Sequence, residues 1–259
     1  MRAAAGSAAG VDVYMIRRNK GMKFLGGYYA FPGGKVDPGD GEAAALARVR
    51  GVTADQAARS FTDRDLDGAR AVNASVAPIA YWVTAARELL EETGVLLACD
   101  AAGRAIDVDQ PAIDACRREV MDGRSFIEAL AERDWHCDLG ALRYLSHFTT
   151  PPRSPIRFTA RFFVCPLPGA QAPRLFTEET SEGFWIEPAA AYWKFVDDEM
   201  AMAEPAEYAL AYLSQFGSLA ELWEAHADGG ARFEGLSHRS DGIADDWKAA
   251  RFAYRQPRP

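Results

Sequence analysis

The chain carries its most reactive combination of side chains within nine residues, Arg87-Glu88-Leu89-Leu90-Glu91-Glu92-Thr93-Gly94-Val95. In an α-helix, positions i, i+3 and i+4 lie on one face, so Glu88, Glu91 and Glu92 would present three carboxylates to one point. Like charges at this spacing cost roughly 0.2–0.5 kcal/mol per pair even on a solvated helix. A hard divalent cation with oxygen ligands, Mg²⁺ above all, would remove that penalty, so this stretch predicts a metal site.

The residues on either side of the glutamates predict the helix that must carry them. Pro78 is suited to the first turn of a helix, and Gly94 to the left-handed residue that ends one. The pattern therefore predicts a helix from about Pro78 to Thr93, with a strand resuming at 95–97. This placement leaves the glutamates on a different face from the apolar side of the helix, which is expected at Val83, Ala86, Leu89 and Leu90.

Strands and helices are also predicted along most of the remaining chain. Apolar or β-branched stretches favour strands at 11–16, 28–31, 142–149, 158–166 and 183–186. Helical patterns cover 42–49, 53–60, 111–134 with a junction near Asp122-Gly123, 188–193, and 205–227 with a break near Gly217. Residues 40–78 differ in character from their surroundings, and we interpret them as an inserted segment.

Length and composition favour one elaborated globular domain. Of the 259 residues, 49% are hydrophobic and 25% are charged, which indicates neither disorder nor a fibrous fold. The formal net charge is −8. A protein that neutralises many phosphates would show a basic surface, so nucleic acid is disfavoured as a partner. A small phosphorylated substrate stays compatible with this charge, because a metal and a few basic residues can bind it.

The cysteines and the amino terminus bear on the cellular compartment. Cys99, Cys116, Cys137 and Cys165 are widely separated and include no Cys-x-x-Cys pair, as expected for free thiols in a reducing cytosol. Residues 1–10 are rich in Ala and Gly but lack a long apolar run. We therefore expect no signal peptide, no membrane span and a cytoplasmic protein.

The acidic stretch resembles the second half of the Nudix box, Gly-x5-Glu-x7-Arg-Glu-U-x-Glu-Glu-x-Gly-U, where U is a bulky aliphatic residue. All seven specified positions of that half match, with Leu89 and Val95 at the U positions. Upstream, residues 31–40 are similar to the Gly-Gly opening of the box, and Asp40 stands where the family has Glu. The box allows seven residues between that position and Arg87, whereas 46 lie there, an excess of 39.

Such a split box resembles the Nudix branch that contains the peroxisomal coenzyme A diphosphatases and their bacterial relatives. Residues 148–163 are similar to the later core strands of that branch, and 203–219 to its carboxy-terminal helical region. The resemblance spans roughly residues 11–225. It implies an α/β fold, the α/β/α Nudix sandwich with a mixed β-sheet. The expected organisation is a flexible amino terminus at 1–10, a Nudix hydrolase domain at 11–200 with an insertion at 41–78 inside the box, and a carboxy-terminal helical extension and tail at 201–259.

The resemblance also implies a reaction, the hydrolysis of the diphosphate linkage in a nucleoside diphosphate derivative. By position, Glu88, Glu91 and Glu92 become the metal ligands, with the Gly34 carbonyl as a backbone ligand, for Mg²⁺ or Mn²⁺. Coenzyme A or acyl-coenzyme A is the leading substrate, by analogy with one branch, and ADP-ribose or a nucleotide sugar is the alternative. The Arg- and Gly-rich signature of another coenzyme A-hydrolysing branch does not occur before Phe31.

Catalytic roles follow for further residues under this resemblance. Arg87 becomes an orienting residue, whose guanidinium can hold Glu91 one turn away in a bidentate pair; an ordinary surface ion pair is the alternative. The general base is either a box glutamate or a glutamate from a distant loop. Among the distant candidates Glu182 is favoured over Glu178 and Glu179, although a solvated acidic loop would also explain all three.

Asp40 and two arginines leave alternatives open. Asp40 keeps the negative charge but is one methylene shorter than Glu, so a salt bridge or metal contact could be lost, and Asp37 and Glu42 lie close enough in sequence to substitute. Arg157 and Arg161 flank a later strand on one face and could bind phosphate bidentately. Solvent exposure explains these two arginines nearly as well.

A function of a different class is a non-catalytic Nudix-fold module that senses a nucleotide or binds a protein partner. Such proteins usually lose box carboxylates, and all three are present here, so we disfavour this alternative. The insertion at 41–78 could cover the substrate, form a dimer contact or decorate the surface. A homodimer is compatible with the fold, but the sequence indicates no interface.

Overall fold

The computed structural model describes residues 1–4, 10–61, 76–149, 159–175 and 180–227. The strands are β1 Arg2–Ala3, β2 Val11–Arg18, β3 Tyr29–Ala30, β4 Val49–Arg50, β5 Ala98–Cys99, β6 His136–Asp138, β7 Arg143–Thr149, β8 Thr159–Val164 and β9 Thr180–Ile186. The α-helices are α1 Ala43–Arg48, α2 Ala54–Ser60, α3 Pro78–Thr93, α4 Gln110–Met121, α5 Phe126–Ala131, α6 Pro188–Val196, α7 Glu204–Leu213 and α8 Leu219–Ala225. Short 3-10 helices lie at Pro38–Gly41 and Leu139–Ala141.

Three sheets organise these strands. In the first, β2 is the hub, because it pairs antiparallel with β1, β3 and β9. The second is mixed, since β6 runs parallel to β4 and antiparallel to β5. The third is the antiparallel pair of β7 and β8. Strands and helices thus form the α/β architecture with mixed strand directions that the sequence predicted.

Helix α3 is buried on more than one side. Trp82, Val83, Ala86 and Leu90 belong to one large hydrophobic core. A second core joins β2 to the carboxy-terminal helices α6, α7 and α8. The helix is more enclosed than an amphipathic surface helix, because Arg87, Glu88 and Glu92 are also buried. No helix in the described ranges is long and apolar enough to cross a membrane.

The prediction of a strand at 95–97 is wrong, since strand pairing begins only at Ala98. The reason is that side chains satisfy the backbone of this segment. The Leu96 N–H donates to Gln171 Oε1 at 2.8 Å, and the Gln171 amide donates to the Leu96 carbonyl at 2.9 Å. Val95 N–H donates to Thr93 Oγ1. The run is apolar because it is buried, a condition that sequence pattern alone does not distinguish from a strand.

The inserted segment is anchored to α3 through its described part. Phe61, buried just after α2, stacks on Trp82 with ring centroids 5.3 Å apart. Its ring also lies 5.0 Å from that of Tyr144 on β7. Residues 62–75 of the insertion fall outside the described residues. The described portion packs as core rather than as a free flap.

Replacing Gly94 by alanine should lower the free energy of unfolding by about 1–2 kcal/mol, because the backbone there is left-handed. Its φ is +67°, and an added Cβ would lie 3.1 Å from Arg117 Nη1. Urea unfolding measures the loss. Gly39→Ala is the matched control, since a Cβ at Gly39 meets no atom within 4 Å, and it should not be destabilising. Wild-type stability in Gly94→Ala would contradict the role of Gly94 as the cap of α3.

Candidate active site

Helix α3 carries all three predicted glutamates, and Glu88 and Glu91 share the Arg87 guanidinium. It begins with Pro78 in its first turn and ends at Gly94, whose N–H donates to the Leu90 carbonyl at 2.8 Å. Glu88 and Glu92 are 9% and 7% exposed, and the Glu91 side chain is 27% exposed. Burial is costly for carboxylates unless cations or hydrogen-bond donors compensate them. The positions of those donors therefore define the chemistry of the site.

Arg87 is the centre of the hydrogen-bond network. Its guanidinium is 5% exposed and donates through Nη1 to Glu88 Oε1 at 2.9 Å and to Glu91 Oε1 at 3.0 Å. Nη2 also donates to the Lys35 carbonyl at 2.7 Å. Burial lowers the pKa of Arg87, but the hydrogen bond and charge of Asp40, aided by Glu88 and Glu91, outweigh it and raise that pKa above its ordinary value. Arg87 is thus a permanent cation that orients two box carboxylates.

The bidentate partner of Arg87 is Asp40, which corrects the expectation that Glu91 would be. Arg87 Nε and Nη2 donate to Asp40 Oδ1 and Oδ2 at 3.2 and 3.0 Å. Asp40 is 4% exposed and also accepts from Thr84 Oγ1 at 2.7 Å. Asp37 reaches only 3.8 Å from Arg87 Nη1 and is largely exposed, while Glu42 precedes α1 as its N-cap. The shorter side chain therefore keeps the salt bridge, and no substitution by Asp37 or Glu42 is needed.

The Gly-Gly opening of the box contacts the glutamates directly. A Cβ added at Gly34 would overlap the Glu88 carboxylate, so only glycine permits this close approach. The Gly33 N–H donates to Glu92 Oε2 at 2.7 Å, from a backbone with φ +156°. Residues 59 positions apart in the chain are thereby joined, as the split box predicts.

Burial has the largest effect on the ionisation of Glu88. Burial raises the pKa of Glu88 to about 7; Arg87 opposes this shift, and Glu91 and Asp37 add to it. A carboxylate that is this close to protonation at neutral pH, in a group of acidic residues, suits a cation neighbour. The carboxylates of Glu88 and Glu91 each use Oε1 for Arg87, so their Oε2 atoms take no part in that ion pair.

The chemistry of the donor set fits a hard divalent cation. Three carboxylates on one helix and an adjacent glycine backbone are oxygen donors, which Mg²⁺ and Mn²⁺ prefer. Within the described parts of the chain, no three His, Cys, Asp or Glu side chains converge closely enough to hold a metal. A cation at this site would therefore compete with Arg87 and Gly33 for the glutamate oxygens.

Arg117 is a residue of the site that no motif indicated. It lies on α4, is 1% exposed, and donates through Nε and Nη2 to the Glu91 carbonyl at 2.9 and 2.6 Å. Burial lowers its pKa from the ordinary value of arginine. A signal was present in the sequence, because Arg117 falls on the apolar stripe of α4 that contains Ile113, Cys116 and Val120. A charged residue at a core position of an amphipathic helix should prompt a search for its partner.

Glu182, the expected general base, lies in β9 opposite Arg17 of β2. Its side chain is 51% exposed, and its Oε2 lies 3.6 Å from Arg17 Nη1. It lines a cavity of about 280 Å³ together with Tyr29 and Phe184. Within the described residues, none of its bonds reaches Arg87 or the box glutamates. The structure thus places Glu182 beside a cavity near the start of the box rather than in the Arg87 network.

The two arginines expected to bind phosphate have different outcomes. Arg161 donates to the Tyr144 hydroxyl at 3.2 Å, and its guanidinium carbon lies 4.0 Å from the ring centroid of Phe61 and 4.9 Å from that of Tyr81. These contacts tie β8 to the inserted segment through cation–π interactions. Arg157 lies outside the described residues.

The chain is similar to several known proteins. The family model described as the NUDT19 Nudix domain matches residues 2–213. A crystal structure of a NUDIX hydrolase from Alicyclobacillus acidocaldarius superposes with a TM-score of 0.68 at 31% identity, covering 86% of this chain and 91% of that chain. Human acyl-coenzyme A diphosphatase NUDT19 is 27% identical over 240 residues, covering 83% of this chain and 64% of that protein. Putative nudix hydrolase 7 of Caenorhabditis elegans is 26% identical over 203 residues, covering 78% and 56%.

The fold is that of the Nudix class of proteins. The chain belongs to the NUDT19 Nudix family, since that model matches most of its length. The resemblance drawn from the split box is therefore confirmed, as is the α/β Nudix fold. Nudix hydrolases generally use divalent metals. The chain spans less than two thirds of the length of both curated relatives.

Asp40→Asn should lower the free energy of unfolding by about 3–5 kcal/mol, because it leaves the buried Arg87 guanidinium without its main counter-charge. Asp37→Asn is the matched control, since the Asp37 side chain is 64% exposed and meets Arg87 only at 3.8 Å. Urea unfolding of both variants measures the difference. Equal losses at the two positions would show that Asp40 is not the principal partner of Arg87.

Proposed function

We propose that this chain is a divalent-cation-dependent diphosphatase that cleaves the diphosphate linkage of a nucleoside diphosphate derivative, with coenzyme A or acyl-coenzyme A as the leading substrate. One observation carries the proposal: the intact glutamates Glu88 and Glu91 are oriented by the buried Arg87, beside the glycine backbone that contacts Glu88. The human relative is an acyl-coenzyme A diphosphatase, which supports the substrate class.

In the proposed mechanism, the residues that would hold Mg²⁺ or Mn²⁺ are Glu88, Glu91 and Glu92, together with the Gly34 carbonyl. The cation, when bound, neutralises charge on the diphosphate oxygens and lowers the pKa of the attacking water. Arg87 fixes the positions of Glu88 and Glu91 by donating to the Oε1 atom of each. The Gly33 N–H fixes Glu92 by donating to its Oε2 atom at 2.7 Å.

The cavity beside Glu182 is where we propose that part of the substrate binds. Its lining residue Tyr29 belongs to β3, and the chain passes from β3 directly to Gly33 and Gly34. A volume of about 280 Å³ lies near the lower end of the range for ligand pockets. Aromatic rings of Tyr29 and Phe184 could contact an adenine, while Glu182 acts as the general base. The packing of Arg161 on aromatic rings favours a structural role for it over phosphate binding.

The remaining expectations stay proposals. We retain a Nudix domain at 11–200, with a carboxy-terminal extension from 201, and a cytoplasmic location. ADP-ribose or a nucleotide sugar is the alternative substrate, because the same site would bind its diphosphate. A homodimer would be detected by sedimentation, independently of activity. A non-catalytic module is disfavoured by the three retained glutamates.

Purified protein should release a monophosphate product from coenzyme A or acetyl-coenzyme A in the presence of Mg²⁺ or Mn²⁺, and EDTA should abolish the release. ADP-ribose, NADH and a diadenosine polyphosphate complete the substrate panel. Product analysis by chromatography identifies the bond that is cut. Preferential cleavage of ADP-ribose would replace the leading substrate by the alternative.

Within that experiment, Glu92→Gln should lower kcat at least ~100-fold, because it removes a charged ligand while preserving the shape of the side chain. Glu132→Gln, a solvent-exposed glutamate on the surface, is the matched control and should keep wild-type activity. Absence of turnover of the whole panel by protein that binds Mn²⁺ would refute the enzymatic proposal and favour the non-catalytic alternative.

Glu182→Gln should lower kcat by about 10²–10⁴-fold, as expected when a general base is lost. Glu187→Gln is the control, since Glu187 follows β9 and is exposed. The measurement is the pH dependence of kcat and KM for both variants. A raised KM with unchanged kcat would instead make Glu182 a binding residue and assign the base to a box glutamate.

A further inference from the structure

At the carboxy-terminal end of α3, the Glu91 carbonyl does not receive the N–H that would normally bond to it. In a helix, the last carbonyls lack N–H partners four residues ahead. Leu90 has the N–H of Gly94, but the N–H of Val95, the partner expected for the Glu91 carbonyl, donates to Thr93 Oγ1 instead. The Glu91 carbonyl lies one residue before Glu92, so its position affects both carboxylates.

Arg117 supplies the partner from α4. Two of its nitrogens donate to the Glu91 carbonyl, at 2.9 and 2.6 Å, while Nη1 donates to the Arg174 carbonyl at 2.8 Å. A guanidinium with three bonds to two fixed carbonyls has little freedom to rotate, and its charge opposes the negative end of the helix dipole. The contact is also close to Gly94, where any Cβ would lie 3.1 Å from Nη1.

The second carbonyl connects the helix to the chain before β9. The Arg174 N–H donates to the Thr93 carbonyl at 2.7 Å, and the Arg174 side chain pairs with Asp114 of α4 at 2.9 Å. Asp114 and Arg117 thus fix residue 174 against both α4 and the end of α3. Burying a cation that bonds to backbone is costly, and apolar packing would hold two helices together at lower cost. The buried Arg117 is explained if its hydrogen bonds serve to fix the backbone of Glu91 and Glu92.

We propose that Arg117 is a positioning residue for the diphosphatase reaction, which fixes the backbone of Glu91 and thereby the carboxylates of Glu91 and Glu92. The inference rests on the proposed function, because it assigns those carboxylates to the cation. It adds a second arginine to the site: Arg87 orients side chains from the same helix, and Arg117 holds the backbone from a neighbouring helix.

Arg117→Met is the principal test, because it keeps the aliphatic stem and removes the donors. It should lower kcat about 10–100-fold, weaken Mn²⁺ binding by a similar factor, and leave KM within about threefold. Arg117→Lys should fall between Met and wild type, since an ammonium can bond to the Glu91 carbonyl but lacks the planar fork that spans both carbonyls. Steady-state kinetics and Mn²⁺ titration by electron paramagnetic resonance give these values.

Two controls separate positioning from general stability. Arg118→Met removes the exposed neighbouring arginine of α4 and should behave as wild type. Val120→Ala destabilises the same helix from its buried side without touching the Glu91 carbonyl, and should lower the unfolding midpoint while kcat and Mn²⁺ affinity stay near wild type. An equal fall in kcat for Val120→Ala at matched loss of stability would overturn the proposal.

The outcomes also distinguish this inference from the proposed function. If the wild-type protein cleaves none of the substrates, the diphosphatase proposal fails, and Mn²⁺ affinity alone still compares Arg117→Met with Arg118→Met. Wild-type kcat and Mn²⁺ affinity in folded Arg117→Met would overturn the positioning role. If Arg117→Met does not fold, kcat and Mn²⁺ affinity are compared between Arg117→Lys and wild type. Wild-type values in Arg117→Lys would then overturn the positioning role.

Discussion

The site depends on one buried cation. The Arg87 guanidinium bonds to Asp40, Glu88, Glu91 and the Lys35 carbonyl, so a single planar group joins the residues before the insertion to the helix after it. Removing any one acidic partner would leave this charge incompletely balanced in a poorly hydrated place, which is the costly way to break a buried ion pair. The two halves of the box, separated by the inserted segment, are therefore held as one unit by electrostatics rather than by chain connectivity.

The insertion is fixed to α3 at two described points. Just before it, Asp40 is buried within a short 3-10 helix and accepts from Thr84 as well as from Arg87, which locates the first turn of the insertion on α3. Near its middle, Phe61 stacks on Trp82 of the same helix. Loop entropy grows only slowly with length, so a long inserted segment is tolerated when parts of it are fixed.

Sequence reasoning predicted what local patterns control. Pro78 and Gly94 predicted the bounds of α3, because their backbone preferences are intrinsic, and the spacing of Glu88, Glu91 and Glu92 predicted a shared face. It failed where the partner is remote in sequence. The bidentate choice of Asp40 over Glu91, the pairing of Gln171 with Leu96, and the burial of Arg117 all depend on segments 40 to 75 residues away or on a neighbouring helix. Site roles for Glu182 and the box glutamates stay predictions.

Two buried arginines in one site raise the question of why the protein did not use apolar packing. A buried ion pair contributes little net stability compared with well-packed hydrophobic residues, so stability alone is a weak reason to keep it. The directionality of hydrogen bonds is a better reason to keep the buried arginines, since hydrogen bonds fix angles that apolar contacts leave free. Arg87 bonds to carboxylate oxygens, so it constrains the side-chain torsions of the glutamates. Arg117 bonds to a backbone carbonyl, so it constrains the position of the backbone from which those side chains extend. A cation bound by carboxylates requires both the side-chain torsions and the backbone to be fixed, because an error in either would misplace the ligand oxygens.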